Sequence, residues 1–186
     1  MIEQAGKKKM LLFSGSSNVE LASKVASNLG TELSTVESKE FASGEIYIRL
    51  NESVRGADCF VLQSHSGDVN KTIMEQLVLV DALKRASAKR ITAVLPFYPY
   101  SRQDKKALPR EPITARLIGD MFIAAGVDRL VSIDLHTQQI QGFVDQPFDH
   151  LTAMPLFVDY FKEKYDYVFC YGKKINDFHT VDKQKI

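Results

Sequence analysis

Cysteine is scarce in this chain, and its scarcity excludes two kinds of scaffold. Only Cys59 and Cys170 occur, one in an apolar strand-like run and one near the end, too few for a disulfide framework or a cysteine metal quartet. A reducing compartment, the cytoplasm, is the default expectation. Charge of one sign is also lacking: the formal net charge is +1 with acids and bases interleaved, which points to no nucleic-acid surface and no membrane patch. Long hydrophobic runs are missing too. The apolar residues 10–13 after Lys7, Lys8 and Lys9 are too few for a signal-peptide core and give way at once to Ser, Gly and Asn. No segment reaches membrane-spanning length. With no repeat, linker or low-complexity block, 186 residues suit one domain, or one and part of a second, with a respectable buried core.

What is present alternates between two periodicities. Residues 9–13, 59–62, 91–95 and 130–133 are short apolar runs of the kind that form buried strands, and residues 45–50 alternate polar and apolar as a strand with one wet face does. Between them, residues 19–29 closed by Gly30, residues 69–86 with Ile73, Met74, Leu77, Val80 and Leu83 at helical spacing, and residues 113–125 closed by Gly126 read as helices. Residues 155–164 read as a further helix and 167–170 as the start of another strand. Strands separated by helices of this length imply an α/β domain with a mostly parallel central sheet covered on both faces.

Three constellations carry chemistry. The first is the loop after the strand at 91–95, which Pro96 and Pro99 keep from continuing as sheet or helix. Arg102, Lys105, Lys106 and Arg110 place four cations in nine residues, offset by Asp104 and Glu111. Ligands of α/β sheets sit beyond the carboxyl ends of strands, so the loop suits phosphate, with Arg102 able to hold two oxygens at once. A solvated turn is the plainer reading of the same charges. The second is Asp134 and His136, which strand alternation would point to one side as ligands of a divalent metal. Spacing alone favours an ordinary hydrogen-bonded histidine at a strand end. The third is Phe41-Ala42-Ser43-Gly44-Glu45, a turn in which Gly44 permits a tight bend. Phe41 there either anchors the turn in the core, the favoured reading, or offers its face to a planar ring.

In order, the turn at 41–45, Glu52-Ser53-Val54-Arg55-Gly56, Gln63-Ser64, Met74-Glu75-Gln76-Leu77, residues 100–106, Arg110-Glu111-Pro112-Ile113-Thr114-Ala115, Asp134-Leu135-His136 and Gln139-Ile140-Gln141-Gly142-Phe143 closely resemble the ribose-phosphate pyrophosphokinase (phosphoribosyl pyrophosphate synthetase) family. The resemblance runs from about residue 9 to about residue 167. It implies a phosphoribosyltransferase-like three-layer fold and transfer of pyrophosphate from ATP to ribose 5-phosphate, a reaction that depends on in-line placement and charge neutralisation. By similarity, Arg102, Gln103, Asp104, Lys105 and Lys106 belong to the ATP site. Phe41, Ser43, Gly44 and Glu45 would reach the same nucleotide from a neighbouring subunit. His136, supported by Asp134, would hold Mg2+, and Ser53, Arg55 and Arg110 match positions that bind regulatory phosphate or ADP in the family's dimers and hexamers. Leu108-Pro109 departs from the polar or basic residue followed by Ser in many members, which removes one anion contact from that regulation.

A larger departure lies at the end. Residues 1–168 correspond to the first of the family's two similar domains. Residues 169–186 match nothing in it and are expected to be a poorly ordered tail. With the second domain would go the acidic loop for ribose 5-phosphate, so the expectation is a truncated copy, inactive alone. The alternative is a noncatalytic regulatory or assembly subunit. An ordinary phosphoribosyltransferase is excluded by the lack of an acidic, glycine-containing phosphoribosyl loop.

Overall fold

Four apolar runs become neighbouring parallel strands because the chain between them is long enough to form a helix and return. In a computed structural model describing residues 9–165, β1 (Met10–Ser14) leads to α1 (Val19–Asn28), β2 (Val36–Glu40), β3 (Ile46–Leu50), β4 (Asp58–Leu62), α2 (Val69–Arg85), β5 (Arg90–Leu95), α3 (Thr114–Ala125), β6 (Arg129–Ile133), a 3-10 turn (Gln138–Phe143), β7 (Phe148–Leu151) and α4 (Met154–Lys164). The chain divides into two units, one ending at Leu151 and one beginning at Thr152. The second contains α4, with Pro155 in its first turn. The strand expected at 167–170 and the tail at 169–186 lie outside the described residues.

In the first unit, β1, β4, β5, β6 and β7 form one parallel sheet in that order. Side-chain alternation sorts it into two faces. Phe13, Cys59, Val61, Ile91, Ala93 and Leu95 join Leu79, Leu83, Ile118 and Phe122 in the larger core under α2 and α3. Leu12 and Leu62 turn the other way, with Phe60 and Val94 beside them, onto Ala22 and Ala26 of α1. Three layers result, as expected. Asn18 caps α1 by accepting the Leu21 amide at 3.1 Å, Asp68 does the same for α2 through Lys71, and α1 and α3 are followed by Gly30 and Gly126 at positive φ.

Two strands were not visible in the sequence. Residues 45–50 do form a strand with Tyr47 and Arg49 exposed, but it pairs antiparallel with β2 as a separate two-stranded sheet lying against α2. β7 adds the sheet's outer parallel strand.

The strand order reverses at β1. After α1 the chain returns as Leu33, which bridges Leu12 on the edge of β1 away from β4, whereas every later strand of this sheet steps in the opposite direction. Because crossovers keep one hand, that reversal puts α1 on one face and α2 and α3 on the other.

Candidate functional site

Open α/β sheets generally bind ligands at the carboxyl ends of the strands beside such a reversal, and here that crevice is filled by the protein itself. The β1–α1 turn runs against Gln63: a Cβ on Gly15 would lie 2.3 Å from the Gln63 amide carbon. Gln63 accepts from the Ser17 amide and hydroxyl at 3.1 and 2.7 Å and donates to Glu75 at 2.6 Å. The buried Glu75 carboxylate also accepts from the Ser16 amide and hydroxyl, at 3.1 and 2.7 Å. The anion at the start of α1 is therefore a side chain of α2.

Open space lies beyond the next two strands instead. A cavity of about 340 Å3 separates Val69 and Asn70, at the start of α2, from Phe97, Tyr100, Arg102 and Gln103 of the loop after β5. Three braces hold that loop. The Tyr100 hydroxyl donates to Asn70 Oδ1 at 2.6 Å. The Thr114 hydroxyl at the head of α3 donates to Gln103 Oε1, so the Gln103 amide keeps its N–H groups as donors. Asp104 turns inward and accepts from the Thr137 hydroxyl at 2.6 Å and from Gln139 Nε2 at 3.2 Å.

The inward turn shapes the charge of the loop. Asp104 is 6% exposed, and Glu111 folds back to accept the amides of Ala107 and Leu108 at 2.7 and 2.9 Å. Both acids expected to offset the cations are engaged by the protein. Arg102, Lys105, Lys106 and Arg110 are exposed, and none is in an ion pair among the described residues. The Thr137 hydroxyl beside Asp104 holds its carboxyl below the usual carboxylate range, with smaller help from its own amide and from the nearby His136 and Lys105 side chains, against the opposing effect of burial. Tyr100 and Arg110 have φ of 56° and 71°, left-handed conformations that non-glycine residues adopt at a cost.

Asp134 and His136 follow β6 and are both exposed. Strand alternation does not place them, because β6 ends at Ile133 and Asp134 takes a φ of 48°; a turn sets their directions. The turn is tied down by the Asp134 amide, which donates to Leu151 O at 2.9 Å, and by the Leu135 amide, which donates to His150 Nε2 at 3.0 Å. That His150 nitrogen is unprotonated. No group of three or more His, Cys, Asp or Glu side chains capable of holding a metal occurs among the described residues.

The remaining expected residues are dispersed. Phe41 is not the core anchor favoured by its spacing: it is 53% exposed and its ring meets Tyr47 edge to face at 6.3 Å. Ser43 donates to Glu45 at 2.8 Å, and Gly44 takes a φ of 86°, so the hairpin tip is a closed turn carrying an outward aromatic ring. Ser53 and Arg55 are exposed just ahead of β4, at the amino end of the sheet, while Arg110 follows β5 at the carboxyl end. One copy of the chain does not bring these three together. Asn70 and Thr137 were missed as site residues: a polar residue at a helix start and a threonine after a histidine carry no periodic signal.

The sequence profile of the N-terminal domain of ribose phosphate pyrophosphokinase matches residues 10–126. The chain belongs to this family. Among curated ribose-phosphate pyrophosphokinases it is 61% identical to that of Corynebacterium efficiens over 86% of this chain and 49% of the relative. It is 56% identical to that of Streptomyces coelicolor over 89% and 51%. The crystal structure of phosphoribosylpyrophosphate synthetase from Mycobacterium smegmatis superposes with a TM-score of 0.84 at 55% identity, covering 86% of this chain and 53% of that one. The chain thus spans about half the length of these ribose-phosphate pyrophosphokinases. None of its described helices is long and apolar enough to cross a membrane.

Proposed function

We propose that this chain binds the triphosphate of ATP in the service of ribose-phosphate diphosphokinase chemistry, the transfer of pyrophosphate from ATP to ribose 5-phosphate with release of AMP. One observation carries the reading: a loop with four exposed cations, none in an ion pair among the described residues, lines a nucleotide-sized cavity through Arg102 and Gln103 and is hydrogen-bonded to the segment bearing His136. Arg102 grips phosphate oxygens through its planar fork, Gln103 donates from its amide, and Lys105 and Lys106 act as point charges. Asp134 and His136 would hold Mg2+, which when bound neutralises phosphate charge; its remaining ligands would be water and phosphate. The exposed Phe41, with Ser43, Gly44 and Glu45, suits contact with the nucleotide of a second copy in a homo-oligomer, and Ser53, Arg55 and Arg110 suit a phosphate or ADP site shared between copies.

The direct test is calorimetry of ATP with the full chain. Arg102→Ala is expected to weaken binding by about 100-fold or more, because truncating one partner of a charged, hydrogen-bonded pair leaves the other unmatched. Unchanged affinity would remove the assignment. The described residues contain no acidic, glycine-containing loop of the kind that grips a ribose phosphate. AMP release with ribose 5-phosphate is therefore to be followed both alone and with a full-length relative added.

A further inference from the structure

Every charged side chain from residue 102 to residue 106 faces solvent except Asp104, which is buried. A carboxylate in a phosphate-binding loop is unfavourable if it faces the ligand, since like charges repel at short range. This one does not stand free: its Oδ2 accepts from the Thr137 hydroxyl and the Gln139 amide, both in the segment directly after His136. The backbone just before it is also fixed. The Gln103 amide donates to Tyr100 O at 2.9 Å, and Gln103 O accepts from the Ala115 amide at 3.1 Å.

We propose that Asp104 is a positioning residue whose carboxylate, held by Thr137 and Gln139, joins the cationic loop after β5 to the Asp134–His136 turn after β6 as one preorganised surface. The groups that meet phosphate and those that meet its cation are then set relative to each other before a ligand arrives, so less ordering has to occur on binding. Asp104 acts through Arg102 and His136. This deepens the ATP-binding reading and rests on it for its functional consequence.

The test uses the full chain and MgATP. Asp104→Ala and Thr137→Val should each weaken MgATP about tenfold, the loss for one hydrogen bond to a charged group. The double variant should be little worse than either alone, because both remove the same link. Thr137→Ser, which keeps the hydroxyl, should bind as the parent does, and thermal melting should report folded protein throughout. Amide hydrogen exchange without ligand should quicken in both 101–106 and 134–139 in either variant. Asp104→Ala, which has no acceptor, binding MgATP as tightly as the parent, or more tightly, as simple removal of a negative charge near a triphosphate predicts, would overturn the proposal. Faster exchange confined to 101–106 would overturn it as well. If the parent chain binds no MgATP, the nucleotide reading fails, while the exchange result still decides whether the two loops are joined.

Discussion

His65 is fully buried directly after β4, at a φ of 50°. Its Nε2 lies 2.8 Å from Gln76 Oε1, and the Gln76 amide nitrogen already donates to Val61 O at 2.9 Å. The neutral ring therefore carries its proton on Nε2 and turns Nδ1 toward Thr72 Oγ1 at 3.2 Å. Burial pushes the imidazole down from 6.5 to about 4, against the pull of the Gln76 hydrogen bond. On acidification the unfolded chain takes up this proton first, so the stabilisation is complete above about 6.5 and drains away as pH falls toward about 4. The integrated loss is of order 3 kcal/mol. Urea denaturation at about pH 7.5 and about pH 4.5 should show it in the parent chain and show correspondingly less in His65→Gln; equal acid losses in the two proteins would contradict this account.

At the scale of elements, the knot of Ser16, Ser17, Gln63 and Glu75 fixes α1 and α2 to the ends of β1 and β4. Gly15→Ala would drive a methyl into the Gln63 amide, which lies 2.3 to 2.4 Å from that position. A destabilisation of about 2 kcal/mol or more is expected, read as a lowered midpoint in thermal or urea unfolding. An unshifted midpoint would mean that Gln63 moves aside freely. The sequence made α2 and α3 legible because Ile73, Val80 and Leu83, or Ile118 and Phe122, recur at helical spacing and all become core. It hid β2, whose five residues include a single apolar one and which is held by β3 and by the Lys71–Glu40 ion pair. It hid β7 behind Pro147 and two polar side chains; Asp149 is paired there with Arg129 of β6 at 2.5 Å. The site was legible in halves. The cationic loop and the His136 turn each had a motif, but the bond from Asp104 to Thr137 spans 33 residues of chain, and no local pattern encodes such a closure. Phe41 was misjudged because a large aromatic beside a turn is usually buried, and this hairpin tip has no layer above it among the described residues.

Across the whole molecule, a net charge of +1 conceals an uneven distribution. At the amino end of the sheet the arginines that open β5 and β6 are matched, Arg90 with Asp58 at 2.8 Å and Arg129 with Asp149. At the carboxyl end four are unmatched among the described residues, because Asp104 and Glu111 are spent on internal hydrogen bonds. Binding through exposed cations should be strongly screened, so ATP affinity is expected to fall several-fold between about 0.05 M and about 0.3 M potassium chloride. Calorimetry at the two concentrations checks this, and a salt-insensitive affinity would point to other groups as the grip. A glycine–serine turn at the head of a helix ordinarily invites a phosphate, yet the one at residues 14–17 already has an occupant in Glu75. A free anion would have to evict a tethered competitor there, so the turn that most looks like a phosphate receptor is the place where added phosphate should leave no trace.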